Sequence, residues 1–197
     1  MILNYIPSKY LKYFLIIIIL IVVLLINSHF SKKTLPYLGE INDFTLYNQN
    51  GIEFNKKDLI GNFWISDFIF TTCAGPCPVM SSQFQSFQEK YSKFDNLNLL
   101  SISVNPQYDT PNVLSDYGKR FNADFDKWNF LTGDVNEIHN LALESFNVGS
   151  AEDPIFHSAF FILLDDEAKI RGYYNSTLDK DLDKMHLDID ILISENI

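Results

Sequence analysis

The first thirty residues differ from the rest of the chain and decide how it is organised. Met1 to Phe30 contain no Asp or Glu, and residues 13–26 form an unbroken apolar run. At about 1.5 Å per residue, a helix of that length reaches only ~21 Å, short of the ~30 Å hydrocarbon core of a bilayer. Length alone therefore leaves two interpretations, a cleaved secretory signal and an uncleaved membrane anchor.

The residues beside the run favour the anchor. A cleaved signal needs small residues three and one positions before the cut, and residues 24–30 show no such pattern. Tyr10 and Tyr13 suit the headgroup level, and Lys12 can extend its ammonium group to the same level, which lengthens the span. A buried core helix of such uniformly aliphatic character would be unusual at a chain terminus. We therefore expect a single transmembrane helix at about residues 10–30.

The charges around the run predict its orientation. The amino terminus, Lys9 and Lys12 precede it, and Lys32 and Lys33 follow it. The slight excess before the run favours an N-terminus in the cytoplasm and an exported domain. The short basic start resembles a bacterial export signal more than an Arg-rich transit peptide. We expect a single-pass protein of the bacterial inner membrane whose soluble domain faces the periplasm or otherwise lies outside the cytoplasm.

Composition limits what the remaining residues can be. Residues 31–197 have the length of one domain, and they carry 13 of the 15 basic side chains and all 25 acidic ones. So acidic a domain lacks the basic face that nucleic-acid binding needs. Aromatic residues make up 15% of the chain, enough to build a core, and two cysteines exclude a disulfide-dense scaffold or a four-cysteine zinc site. The predicted organisation is an anchor at 1–30, a tether at 31–42 and a globular domain at 43–197.

The apolar pattern of this domain predicts an α/β fold. Residues 63–70 are a nearly continuous apolar stretch, typical of a central strand covered on both faces. Asn48 to Gly51 is a turn-rich tetrad between two short strand patterns, which predicts an N-terminal β-hairpin. Together the patterns indicate a mixed sheet flanked by helices. The other predicted elements are strands at 97–104, 158–164 and 170–174, and helices at 80–94, 110–121, 134–146 and 177–193.

The only two cysteines, Cys73 and Cys77, stand between the predicted central strand and the next helix. A helix N-terminus has partial positive charge and unpaired N–H groups that stabilise thiolates, so we expect lowered thiol pKa values. Four residues of separation place both sulfurs on one side of a helical turn, near enough for a disulfide or for one soft metal ion. A purely structural disulfide that closes so short a loop would add little stability, which favours chemistry at this site.

The segment FTTCAGPCP at residues 70–78 resembles the signature of the Sco/SenC family of membrane-anchored, thioredoxin-like copper proteins. Three further blocks follow in the family's order, at residues 103–111, 128–133 and 157–158. The resemblance covers about residues 38–195 and implies a thioredoxin-like mixed sheet. Asn105 and Phe156 depart from it, since the family commonly has Asp at both places. Asp109 matches the family pattern, and its position suits the N-cap of the helix predicted at 110–121 equally well.

The resemblance implies that Cys73, Cys77 and His157 bind one copper ion. Two thiolates favour Cu(I), imidazole accepts Cu(I) or Cu(II), and two sulfurs with one nitrogen make a three-coordinate site. A zinc site would usually need a fourth ligand. The remaining candidates have simpler interpretations: His29 borders the apolar run, His139 faces solvent on a helix, His186 lies near the C-terminus, and Met80 shares a helix face with Phe84 and Phe87 and is expected in the core.

The family resemblance implies a copper chaperone that delivers copper to the dinuclear copper centre of cytochrome c oxidase, and it leaves a thiol-disulfide reductase activity open. Its partners would be the copper-bearing oxidase subunit, a copper donor protein and a thiol reductant, because metal binding requires reduced cysteines. The alternative is a membrane-anchored thiol-disulfide oxidoreductase that reduces cysteines of an oxidase subunit or another exported protein. Cys73 and Cys77 would then be the attacking and the resolving thiol, and the reaction would leave a disulfide between them. Three residues separate the two cysteines, whereas the usual redox pair has two between them, and this disfavours the oxidoreductase. A peroxidase is a third possibility, but peroxide reduction would not need the second cysteine.

Overall fold

The computed structural model describes residues 12–22, 34–150, 152 and 158–195. The chain divides into two compact units, Met1–Thr34 and Leu35–Ile197. In the first unit, residues 12–22 form helix α1, and the side chains of these residues are exposed. Within the described ranges, no helix is both long enough and apolar enough to cross a membrane. The predicted transmembrane helix at about residues 10–30 extends beyond the described residues at both of its ends.

The described residues of the second unit form one mixed sheet of eight strands. The strands are β1 (Gly39–Glu40), β2 (Thr45–Asn48), β3 (Glu53–Asn55), β4 (Phe63–Ile69), β5 (Leu97–Ser103), β6 (Trp128–Thr132), β7 (Phe160–Leu164) and β8 (Lys169–Asn175). Their order across the sheet is β1-β8-β7-β4-β5-β6-β2-β3. Strands β4, β5 and β6 are parallel, and the other neighbouring strands run antiparallel.

The helices of this unit follow the predicted sequence of elements except for α2, which was not predicted. They are α2 (Lys56–Leu59), α3 (Cys77–Lys90), α4 (Pro111–Arg120), α5 (Val135–Asn140), a π-helical turn (Leu141–Ser145) that continues α5, and α6 (Asp179–Glu195). Every residue of β4 is buried, as the apolar run at 63–70 predicts, and every residue of β5 is buried too.

Two hydrophobic cores lie on opposite faces of the sheet, because side chains alternate along each strand. Ile65 and Ile69 of β4 belong to the first core, together with residues of α3, α4 and α6. Trp64 and Phe68 belong to the second core, together with residues of α5 and the π-helical turn. The predicted mixed sheet with helices on both faces is therefore confirmed.

In the N-terminal part of this unit, the predicted β-hairpin is present, but the predicted tether ends earlier than expected. Strands β2 and β3 form the predicted hairpin, in which Leu46 pairs with Phe54. Residues 35–42, predicted as part of a tether, belong to the second unit. Gly39 and Glu40 pair with β8, and Ile41 is fully buried. A two-residue strand has no periodicity of its own, so only its distant partner in β8 reveals it.

Candidate metal and thiol site

Cys73 lies in a tight turn that follows the central strand. The N–H of Cys73 donates to the carbonyl oxygen of Phe70 at 3.1 Å, which closes a turn over residues 70–73. Helix α3 then begins at Cys77, earlier than the predicted residue 80. Pro78 is tolerated there because the first turn of a helix has no intrahelical partners for its N–H groups. Cys77 therefore occupies the first turn of α3.

The two cysteine side chains are adjacent. Both are buried thiols, and the Cys73 side chain is near enough to Cys77 to raise the pKa of the Cys77 thiol. The N–H of Gly75 also donates to Sγ of Cys73, at 3.3 Å. Sulfurs within hydrogen-bonding reach can be bridged by one soft ion or oxidised to a disulfide with little rearrangement. The structure thus brings together two of the three predicted ligand residues.

The thiol of Cys77 is less acidic than its position in the sequence indicates. Burial raises the pKa of Cys77 to about 12, and the hydrogen bond to Cys73 contributes to this rise. The expectation that a helix N-terminus lowers the pKa is wrong for Cys77, because the loss of hydration outweighs the partial charge of the helix terminus. Cys77 is therefore a neutral thiol near neutral pH, and a metal ion must displace its proton.

Asp67 is a candidate that the sequence analysis missed. It is a fully buried residue of β4, and neither carboxyl oxygen has a hydrogen-bond partner of ordinary geometry among the described residues. Burial raises the pKa of Asp67 to about 7, and the hydroxyl of Ser101, its neighbour in β5, only partly offsets the rise. The charge of Asp67 in turn raises the pKa of Cys77. An acidic residue inside an otherwise apolar strand was the signal available in the sequence.

Asp109 connects the cysteine turn to the end of β5. Its buried carboxylate accepts hydrogen bonds from Thr71 and Ser103. Asp109 is not the cap of α4, since that role belongs to the hydroxyl of Thr110. Asn105, which departs from the family pattern, is half-buried, and its N–H donates to the Ser103 hydroxyl at 3.1 Å. The Asp109 side chain is thus hydrogen-bonded to the turn that carries Cys73.

The third predicted ligand, His157, lies outside the described residues, as does Phe156. The described chain resumes at Ser158, and β7 begins at Phe160. Because β7 runs antiparallel to β4 and pairs Ile162 with Ser66, its first residue lies at the edge of the sheet where β4 ends. The described residues contain no group of three or more His, Cys, Asp or Glu side chains arranged to hold a metal ion. The assignment of His157 as a ligand stays a prediction.

The other histidines that the structure describes contact groups away from the cysteines. Nδ1 of His186 lies 2.8 Å from the hydroxyl of Tyr91, and burial lowers the pKa of His186. Nε2 of His139 lies 3.0 Å from the carbonyl oxygen of Ser150, and the side chain is half-buried. Met80 is fully buried in the first core, as predicted. His29 lies outside the described residues.

Comparison with known proteins identifies the family. The SCO1/SenC family model matches residues 36–190. The chain belongs to the Sco/SenC family. The SCO1 protein homolog of Bacillus subtilis (strain 168) is 33% identical over 157 residues, which cover 76% of this chain and 81% of that relative. The family membership predicted from the four sequence blocks is therefore confirmed.

Solved Sco structures share the fold. A SCO1/SenC family lipoprotein from Bacillus anthracis str. Ames is 27% identical, with a TM-score of 0.71 over 79% of this chain and 95% of that chain. BsSco is 30% identical, with a TM-score of 0.68 over 81% of this chain and 98% of that chain. It is described as having a disulfide switch and as a member of a family of cytochrome c oxidase assembly proteins. Yeast Sco1 with copper bound is 28% identical, with a TM-score of 0.64 over 79% of this chain and 94% of that chain. The thioredoxin-like mixed sheet of the Sco proteins is thus the fold of this chain.

Proposed function

We propose that this Sco protein is a copper chaperone that binds one copper ion through Cys73, Cys77 and His157 and delivers it to the dinuclear copper centre of a cytochrome c oxidase. The observation that carries the proposal is the pair of neighbouring buried thiols where β4 leads into α3. Two relatives support it, since yeast Sco1 has been solved with copper bound and BsSco is described as belonging to a family of oxidase assembly proteins.

The chemistry of the thiol pair fits copper as a transferable cargo. Thiolate sulfur favours Cu(I), and two sulfurs already in contact need little movement to share one ion. A site of only two sulfurs and one nitrogen leaves room for a ligand of the acceptor protein to attach before the donor ligands leave. Because Cys77 holds its proton near neutral pH, copper binding releases a proton, and returning that proton favours release of the metal.

The proposed chaperone is anchored in a bacterial inner membrane by about residues 10–30, with the copper-binding domain outside the cytoplasm. The B. anthracis relative is described as a lipoprotein, which is another means of membrane attachment. The proposed partners are the copper-bearing oxidase subunit, a copper donor protein, and a thiol reductant that keeps Cys73 and Cys77 reduced. The reductant is required because a disulfide cannot supply thiolate ligands.

A copper competition measurement tests this proposal. The full chain, purified in mild detergent and reduced, is titrated with Cu(I) against a chromophoric Cu(I) chelator. We expect one tightly bound equivalent in the wild type and at least about tenfold weaker binding in His157→Ala, because one of three ligands is lost. The matched control His139→Ala removes an imidazole that contacts the Ser150 carbonyl oxygen, and should bind as the wild type does. Equal affinities of wild type and His157→Ala would refute the three-ligand site.

The second candidate function is a thiol-disulfide oxidoreductase. It is favoured by the contact between the Cys77 and Cys73 side chains, which is what a resolving step needs. The same preparation decides between the two functions. A wild-type protein that leaves Cu(I) with the chelator, yet rapidly reduces a disulfide in a peptide from an oxidase subunit, is a reductase. A protein that retains one Cu(I) is the proposed chaperone.

A further inference from the structure

The carboxylate of Asp109 is a buried acceptor with three donors around it. The N–H of Thr71 donates to Oδ2 at 3.0 Å, and the hydroxyl of Ser103 donates to the same oxygen at 2.5 Å. The hydroxyl of Thr71 donates to Oδ1 at 2.5 Å. The side chain of Asp109 is fully shielded from solvent, so water does not compete for these bonds. A carboxylate suits this position because it accepts at both oxygens and donates at neither when ionised.

These bonds tie the cysteine turn to a rigid part of the sheet. Thr71 is the second residue of the turn closed between Phe70 and Cys73, so two of the three bonds hold that turn directly. Ser103 ends β5, which is paired with β4 along its whole length. Asp109 itself is held by a short turn in which its N–H donates to the carbonyl oxygen of Asn105 at 2.9 Å. The carboxylate therefore fixes Cys73 relative to the central strands.

Cys77 is held by other contacts. It is a residue of α3, which packs against the first core through buried side chains such as Met80 and Phe84. No bond from Asp109 to α3 is present among the described residues. Cys73 is buried in the same core, but its segment of chain is held by the hydrogen-bonded turn, whereas Cys77 is carried by the packed helix.

We propose that Asp109 is a positioning residue for the thiol pair, and that its carboxylate holds the Cys73 sulfur in contact with Cys77. Removing the carboxylate leaves the Thr71 N–H and the Ser103 hydroxyl buried without their acceptor, and the turn relaxes to regain partners. The sulfurs then spend less time in contact, so both the disulfide and a shared metal ion form less readily. Only the consequence for copper rests on the proposed function, because the effect on the thiol pair needs no metal.

The test measures the thiol pair without copper and then with it. The full chain in detergent is equilibrated in glutathione buffers, in which one glutathione disulfide oxidises the two thiols to one disulfide and yields two glutathione thiols. The equilibrium gives the effective concentration of Cys73 toward Cys77. We expect Asp109→Asn to lower it about threefold, because the amide oxygen can still accept from the Thr71 N–H and the Ser103 hydroxyl, and only the Thr71 hydroxyl loses its acceptor. Cu(I) affinity, measured by chelator competition, should fall in parallel.

Two further variants separate positioning from general stability. Thr71→Val removes one hydroxyl bond but keeps the Thr71 N–H bond, and should lower the effective concentration by about threefold. Asp188→Asn is the matched control, since Asp188 is also a buried carboxylate and accepts from the hydroxyl of Tyr174 at 2.8 Å, in contact with neither cysteine. It should destabilise the fold while leaving the effective concentration within about twofold of the wild type. If Asp109→Asn does not fold, the effective concentrations in Thr71→Val and Asp188→Asn are compared to test the positioning role of Asp109.

The outcomes distinguish the two proposals. An unchanged thiol equilibrium in folded Asp109→Asn, or an equal fall in Asp188→Asn, overturns the positioning role. A wild type that binds Cu(I), with variants of unchanged copper affinity and unchanged thiol equilibrium, leaves the chaperone proposal standing and refutes the role of Asp109. A wild type that binds no Cu(I), with a thiol equilibrium that falls in Asp109→Asn, supports the positioning role and refutes the chaperone.

Discussion

Asp67 places a carboxyl group in the centre of the sheet, and the cost of burying it depends on pH. The folded protein keeps the proton up to about pH 7, whereas the unfolded chain releases it near pH 4. Between these values the unfolded state binds fewer protons, so stability falls as the pH rises through this window and stays low above it. A difference of about three pKa units corresponds to about 4 kcal/mol in the free energy of unfolding.

We therefore expect Asp67→Asn to flatten this dependence. Relative to the wild type, the variant should gain about 2–4 kcal/mol in stability between about pH 4 and about pH 8, because the titrating group is gone. Urea unfolding across this range measures the change. The exposed Asp126→Asn is the control and should follow the wild-type profile. An Asp67→Asn profile parallel to that of the wild type would show that Asp67 does not carry the dependence.

Cys77 gives the second pH effect, on metal affinity. Its pKa of about 12 means that the thiol is protonated throughout the physiological range. Each Cu(I) that binds must release this proton, so the apparent affinity should rise at least about tenfold for every pH unit between about pH 6 and about pH 8. Chelator competition at several pH values, corrected for the chelator's own protonation, measures the slope. An affinity independent of pH would mean that the bound state retains the Cys77 proton.

At the scale of elements, α4 approaches β6 so closely that only glycine fits at one position. A Cβ atom on Gly118 would lie 2.8 Å from ring carbons of both Phe125 and Phe130. Alanine is the better helix former by about 1 kcal/mol, but overpacking of a core costs about 1–3 kcal/mol. We expect Gly118→Ala to lower the stability by up to about 2 kcal/mol in urea unfolding, which is the overpacking cost less the gain in helix propensity. Asn112→Ala, at an exposed position of the same helix, should change it by less than about 0.5 kcal/mol. A stabilised Gly118→Ala would contradict this account.

The sequence predicts elements well where burial imposes an apolar run or a period. The strand at 63–70 was recognisable as a nearly continuous apolar run, which the structure buries on both faces. The helix at 80–94 was recognisable because Met80, Phe84 and Phe87 share the face that the structure buries. Strand β1 was not recognisable, since its two residues carry no period and depend on a partner far along the chain. At the site, the spacing of Cys73 and Cys77 predicted their contact. The raised pKa of Cys77 was unpredictable, because it arises from packing by elements distant in sequence.

At the scale of the whole second unit, the cysteines and the first residues of the unit lie at opposite ends of the sheet. Arg171 donates to the carbonyl oxygen of Leu35 at 2.6 Å, and Glu195 accepts the N–H of Leu35 at 3.2 Å. The neighbouring residue Ile170 pairs with Leu164, which pairs with Trp64 near the start of β4. Cys73 instead follows the end of β4. Leu35 thus lies at the end of the sheet remote from the thiol pair.

The orientation of the whole chain follows from the charges around the apolar run and can be tested with single reporter cysteines. In a Cys73→Ser, Cys77→Ser background, Asp126→Cys places a thiol at an exposed position of the second unit. Ser8→Cys places one before the run and leaves every charge beside the run in place. Bacterial spheroplasts that produce each chain are treated with a membrane-impermeant maleimide. We expect Asp126→Cys to be labelled in intact spheroplasts and Ser8→Cys only after lysis, because the greater positive charge before the run retains the N-terminus in the cytoplasm. The reverse pattern would place the thiol pair in the cytoplasm and remove the basis for delivery to an oxidase subunit on the outer face of the membrane.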